Sequence, residues 1–154
     1  MCDLPIDIAD AEKIVRAIFS PQHIDHRKNR LRPAAFRSPP DLDEVSVIRH
    51  TYMGSDFCKV KAKEIAHRRP IIAYVGLAVI RAEDVRATRS TIHDSREEYC
   101  GHAHISHGVV LPRDEPLNSA LNIVVTERCR ALVAMAHYHA DPNPAADLWR
   151  GEPI

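Results

Sequence analysis

Glycine and aromatic residues are scarce in this 154-residue chain, which has five glycines and only 5% Phe, Trp and Tyr together. None of Gly54, Gly76, Gly101, Gly108 and Gly151 falls in a GxGxxG or GxxxxGK(S/T) array, which excludes Rossmann and P-loop nucleotide binding. Net charge is also lacking: 21 basic residues balance 21 acidic ones, so the basic excess of a duplex nucleic-acid binder is missing. No aromatic side chain interleaves with the basic segment His26–Arg32, so stacking-based single-strand recognition lacks its platform. Nucleic-acid binding through that segment is the least supported reading. No stretch approaches the roughly 18 apolar residues of a membrane span. The opening MCDLPIDIAD lacks the basic and apolar regions of a signal peptide, and the expectation is a cytoplasmic chain without membrane contact. The four cysteines, Cys2, Cys58, Cys100 and Cys129, form no CxxC pair; reduced thiols are expected rather than a disulfide framework or a zinc knuckle.

The remaining composition is that of one globular domain, with 45% apolar and 27% charged residues. Ala11, Ile14, Val15, Ile18 and Phe19 share a helical face, predicting a short amphipathic helix from Asp10 to Ser20 that Pro21 ends. An exposed basic loop follows, then a brief strand at Ala34–Arg37. Glu44 to Thr51 alternates as a half-buried strand, with Arg49 on the face of Val45 and Val47. Gly54-Ser55 opens a helix whose stripe is Cys58, Ala62, Ile65 and Ala66 and which stops before Pro70. IIAYVGLAVI, residues 71–80, is β-branched and reads as a central strand with a bulge at Gly76. One helical turn at Ala82–Arg86, a short strand near Thr91–Ile92 and a long strand through CGHAHISHGVVL come next. A helix from Leu117 to Tyr138 closes the domain, with His137 and His139 at its C-terminal end, where imidazolium suits the dipole. The expected fold is α+β: a mixed or antiparallel sheet of four to five strands with helices on one face, spanning residues 1–140. A Pro-rich tail, 141–154, either docks through Trp149 or stays loose.

Three of the ten histidines crowd into YCGHAHISHG, residues 99–108. On a strand, Cys100, His102, His104 and Ser106 share one face and Ala103 and Ile105 the other, so one side reads as core and the other as a site. His102 and His104, with Cys100, His107, His93 or His50 as a third ligand, have the spacing for zinc or another divalent metal. His104-Ile105-Ser106 and His93-Asp94-Ser95 both have the form H-x-S, in which a pair of imidazoles can act as acid and base on a phosphate; eleven positions separate the two. Arg49, with Arg32 or Arg37, offers a guanidinium fork for phosphate or carboxylate, against the plainer alternative that it pairs with Glu44 or Asp94. Glu98 or Glu97 supplies a carboxylate base, only one of the two being able to face the site.

The segments RLRPAAFRSPPDLDEVSVIRH and GLAVIRAEDVRA followed by DSREEYCGHAHISHG resemble small uncharacterised bacterial proteins, over about residues 10–110. The resemblance brings no activity with it; membership of some such proteins in multi-component, phage-defence-type systems implies a protein partner.

The sequence thus supports a ligand-binding or catalytic domain acting on a phosphorylated or nucleotide-like ligand, metal-assisted or metal-free. Its candidate residues are His102, His104, Arg49 and Glu98, with His102, His104 and Cys100 as metal ligands. The alternative is a non-catalytic interaction subunit using the basic loop or the tail.

Overall fold

In a computed structural model describing residues 1–154, the chain is α+β, built on one six-stranded sheet. The strands are β1 (Lys13–Ser20), β4 (Val45–Arg49), β5 (Ala73–Arg81), β6 (Thr91–Asp94), β7 (His102–Ser106) and β8 (His137–Ala140), with the small hairpin β2 (Ile24–Asp25) and β3 (Arg30–Leu31) beside it. The large sheet runs β6-β7-β4-β1-β5-β8, and every neighbouring pair is antiparallel. Three helices accompany it: α1 (His50–Arg68), α2 (Ala82–Ala87) and α3 (Ala120–Met135). No helix is long and apolar enough to cross a membrane.

Two expectations change in detail. The sheet has six strands rather than four to five, and helices cover both faces rather than one. Ile14, Ile18, Val45, Val47, Ala103 and Ile105 point to the side closed by α3. Val15, Ala17, Ile48 and Leu77 point to the side closed by Cys58 and Ala62 of α1.

That double coverage explains why residues 13–20 form a strand and not the expected helix. β1 is central, between β4 and β5, so both of its faces are buried and the polar alternation of a half-exposed strand disappears. What remains, Ile14, Val15, Ile18 and Phe19, satisfies helical spacing by accident, while β-branching and the eight-residue ladder to β5 hold it extended.

The brief strand expected at Ala34–Arg37 is a 3-10 turn, Pro33–Phe36, which buries Ala35 and Phe36 against α3. Gly54, at φ 78°, breaks α1 after its first turn, a conformation open to glycine and costly for other residues. A register shift between Ile18 and Phe19 opposite Tyr74 and Gly76 makes the bulge anticipated at Gly76. There a Cβ would come within 2.4 Å of the His139 carbonyl oxygen, so glycine lets β8 close on β5.

His137 and His139 are not the end of a helix. They lie on β8, which pairs with β5 through Val79 and Leu77. The expectation of reduced thiols is corrected as well: Cys2 and Cys100 are joined in a disulfide, while Cys58 and Cys129 are free and buried.

Two buried cations tie the terminal segments to this frame. Arg49 is fully buried and donates to both carboxylate oxygens of Glu12 at 2.9 Å, to Asp94 at 2.7 Å, and to the carbonyls of Pro5 and Asp7. Lys59 meets Asp141 at 2.9 Å and the carbonyls of Asn143 and Leu148, and Asp141 also accepts from the Tyr74 hydroxyl at 2.6 Å. The tail is therefore docked over α1, with the Trp149 backbone N–H on Asp56.

Candidate functional site: an arginine cleft at a split in the sheet

β1 and β4 pair only through Ile14↔Arg49 and Val15↔Ile48. Beyond Val15 the two strands part. β1 continues along β5, while Val45–Val47 pair only with β7. Arg16 fills the gap: its Nε donates to the Ala35 carbonyl at 2.8 Å and its Nη1 to the Ser46 carbonyl at 2.9 Å. Neither partner carries a charge. A guanidinium taken out of water is ordinarily matched by a carboxylate, because desolvating an unpaired ion is expensive. Here burial, followed by the neighbouring charge of Arg69, lowers the Arg16 pKa to about 10.

The split opens into a cleft of about 460 Å³ between the sheet and the C-terminal end of α1, lined by Arg16, His23, Glu44, Ser46, Arg68 and Arg69 among others. Arg68 and Arg69 suit the negative end of the α1 dipole, which accounts for basic residues there locally. None of the three arginines makes an ion pair within the chain, although seven other cationic side chains do. Arg16 Nη2 has no acceptor in the protein, and since every sealed side-chain nitrogen and oxygen is satisfied, Nη2 is open to the cleft.

His23 adds a donor of a different kind. Its Nδ1 accepts the backbone N–H of Phe19 at 3.1 Å, and its ring rests 5.6 Å from the Phe19 ring. An Nδ1 that accepts carries no proton, so in the neutral ring the proton is on Nε2. Burial, with Arg16 second, pulls the His23 pKa down to about 3, which keeps the imidazole neutral at physiological pH. The cleft thus presents guanidinium N–H groups and one neutral imidazole N–H. Glu44 is its single carboxylate.

No residue of the histidine strand lines this cleft; the strand adjoins it through Ser46, a lining residue. His104 pairs across the sheet with Ser46 on one side and His93 on the other, and the His93 and His104 rings lie 5.3 Å apart. The two H-x-S motifs therefore do meet, as cross-strand neighbours. Their hydroxyls are committed elsewhere, Ser95 to His102 Nδ1 and Ser106 to Asp43. His102 is buried under the Tyr99 ring, 4.9 Å away, and burial lowers its pKa against the opposing pull of Glu98 and Glu97.

The other anticipated site residues are dispersed. Arg49 is on the opposite face of the sheet from His102 and His104, saturated by Glu12 and Asp94 and not by Glu44. Glu98 is exposed on the loop after β6. The Cys100 sulfur is bonded to Cys2 and is not a free thiolate, and no three His, Cys, Asp or Glu side chains gather as a metal-holding group. His107 donates from Nε2 to the Phe36 carbonyl at 2.7 Å and meets Ser90 through Nδ1, inside the core. His50 bonds Ser55 at the start of α1. Arg37 holds Asn122 and Thr126 of α3, and Arg32 is exposed.

Arg16, His23, Arg68 and Arg69 were not among the residues singled out from sequence. Arg16 had one legible signal: once residues 13–20 are a doubly buried strand, it is the only charge in the interior of that strand, Lys13 standing exposed at its start.

Comparison with known proteins adds nothing to this geometry: no protein-family model, curated protein or solved structure matches the chain.

Proposed function

We propose that the domain binds a compact phosphorylated ligand, a phosphate ester or nucleotide-like anion, in the arginine cleft. The observation that carries this reading is Arg16: a half-buried guanidinium with only carbonyl partners, beside two exposed arginines that make no ion pair, lining a cleft of small-molecule size. An oxyanion supplies the missing counter-charge, and guanidinium forks match its geometry. Three arginines against one glutamate favour a ligand with more than one negative charge. The neutral N–H of His23 donates to such an oxygen without itself needing a proton from solvent.

The test is thermal unfolding with pyrophosphate, compared with sodium chloride at equal ionic strength. A ligand that binds only the folded state raises the midpoint as its concentration passes Kd. Pyrophosphate is expected to raise it in the wild type and to do so much less in Arg69→Ala, a substitution at an exposed position that leaves the core untouched. Equal effects of the two salts on the wild type overturn the reading.

A further inference from the structure

Glu44 is the one residue of the arginine cleft whose charge opposes the proposed ligand. Its backbone is fixed just before β4 begins: the Ser38 hydroxyl accepts the Glu44 N–H at 2.8 Å and itself donates to the Leu42 carbonyl at 2.9 Å. Strand alternation puts Glu44 and Ser46 on one side and the core residues Val45 and Val47 on the other. Arg16 reaches this same stretch through the Ser46 carbonyl. Yet the Glu44 carboxylate forms no ion pair with Arg16, Arg68 or Arg69. The cleft therefore holds three cations and one anion that do not neutralise each other.

A carboxylate in an anion site weakens binding by repulsion, unless the ligand brings a hydrogen for it to accept. An ionised carboxylate has no proton to give, so a phosphoryl oxygen without a hydrogen finds no partner in Glu44. A hydroxyl carried beside the phosphate does, and its bond to the carboxylate is charge-assisted. Two more lining side chains, the exposed Gln22 and Ser46, both donate and accept. The volume of about 460 Å³ suits a small organic molecule rather than a phosphoryl group alone. A nucleobase is served poorly. The rings of the cleft are Phe19 and His23, which are 5% and 8% exposed and lie 5.6 Å from each other, so neither offers an open face for stacking.

We infer that Glu44 is a specificity residue of the cleft and that the ligand is a polyol phosphate, a phosphate monoester whose carbon chain carries hydroxyls, sugar phosphates included. This inference rests on the reading of the arginine cleft as an anion site. The phosphoryl oxygens accept from the guanidinium groups of Arg16, Arg68 and Arg69, and a hydroxyl of the chain donates to the Glu44 carboxylate. Esters without a hydroxyl meet the same arginines and are repelled by Glu44 with nothing to offset the repulsion.

The experiment is isothermal titration of glycerol phosphate and of propyl phosphate at pH 7.5 and low ionic strength, with pyrophosphate as the control anion. The two esters match in charge and chain length and differ in their hydroxyls. The wild type is expected to bind glycerol phosphate at least about tenfold more tightly than propyl phosphate, the scale of one hydrogen bond to a charged group. In Glu44→Ala, a change at an exposed side chain, the two affinities converge and propyl phosphate binds more tightly than it does to the wild type. Circular dichroism checks that the variant keeps its fold. If pyrophosphate binds and the wild type does not distinguish the two esters, or if folded Glu44→Ala keeps the full preference, the inference is overturned and the anion-site reading stands. If neither the esters nor pyrophosphate bind the wild type, both are overturned.

Discussion

His23 Nδ1 accepts the backbone N–H of Phe19 at 3.1 Å, and that single bond decides which nitrogen of the ring can face the cleft. The expected NMR signature is a neutral imidazole protonated at Nε2 throughout pH 5–8, with the Nε2 proton shifting on addition of pyrophosphate. A ring that titrates near pH 6.5, or one protonated at Nδ1, contradicts the assignment of His23 as a neutral donor.

The same burial makes the fold acid-sensitive. His23, at about 3, and His50, His102, His107 and His139 all have folded-state pKa values lowered chiefly by burial. The unfolded chain therefore binds more protons than the folded one below about 6.5, so stability is complete above that pH and declines as pH falls through the window. Urea unfolding at pH 7.5 and pH 5 measures this. A flat profile over that range would show that these rings are free to protonate in place.

Arg49 is predicted to be a stability residue. Arg49→Met leaves Glu12 buried without a cation and Asp94 with Arg96 alone, and it frees the carbonyls of Pro5 and Asp7. The expected loss is about 3–5 kcal/mol in urea unfolding. Lysine does not restore it, since one ammonium cannot reproduce the bidentate contact with Glu12 while also reaching Asp94. A loss below about 1 kcal/mol would mean that the network does not hold the N-terminal segment.

The Cys2–Cys100 bond closes a loop between residues 98 apart in sequence, and Arg96 holds the same segment through the carbonyls of Cys2 and Leu4. Under the chain-entropy account a loop of about 100 residues contributes roughly 4–5 kcal/mol. Alkylation of the unfolded, unreduced protein should modify Cys58 and Cys129 alone, and Cys2→Ser should lower the thermal midpoint. Four reactive cysteines before reduction would contradict the pairing.

Much of the frame was legible because the residues carry their own period. Val45–Arg49 alternates, Ala73–Arg81 is β-branched between breakers, and the α1 stripe of Cys58 and Ala62 packs as expected. The failure at β1 has one cause, burial on two sides. It erased the alternation in β1 and so hid Arg16, whose importance depends on its being a lone charge in a strand. At β8 the apolar stripe of α3 leads into His137–Ala140 with no glycine or proline to mark the change, and pairing with β5 decides the conformation. The histidine strand was correctly placed on the sheet, but which of its rings stay accessible depended on Tyr99 and α1, whose approach no local pattern encodes.

The cleft account is tested most directly by isothermal titration of pyrophosphate into the wild type and into Arg68→Ala/Arg69→Ala at low ionic strength. It predicts one saturable site per chain in the wild type, and affinity weakened by about tenfold or more in the variant, the scale of losing charged hydrogen bonds. Absence of saturable heat in the wild type, or equal affinity in the variant, would contradict it.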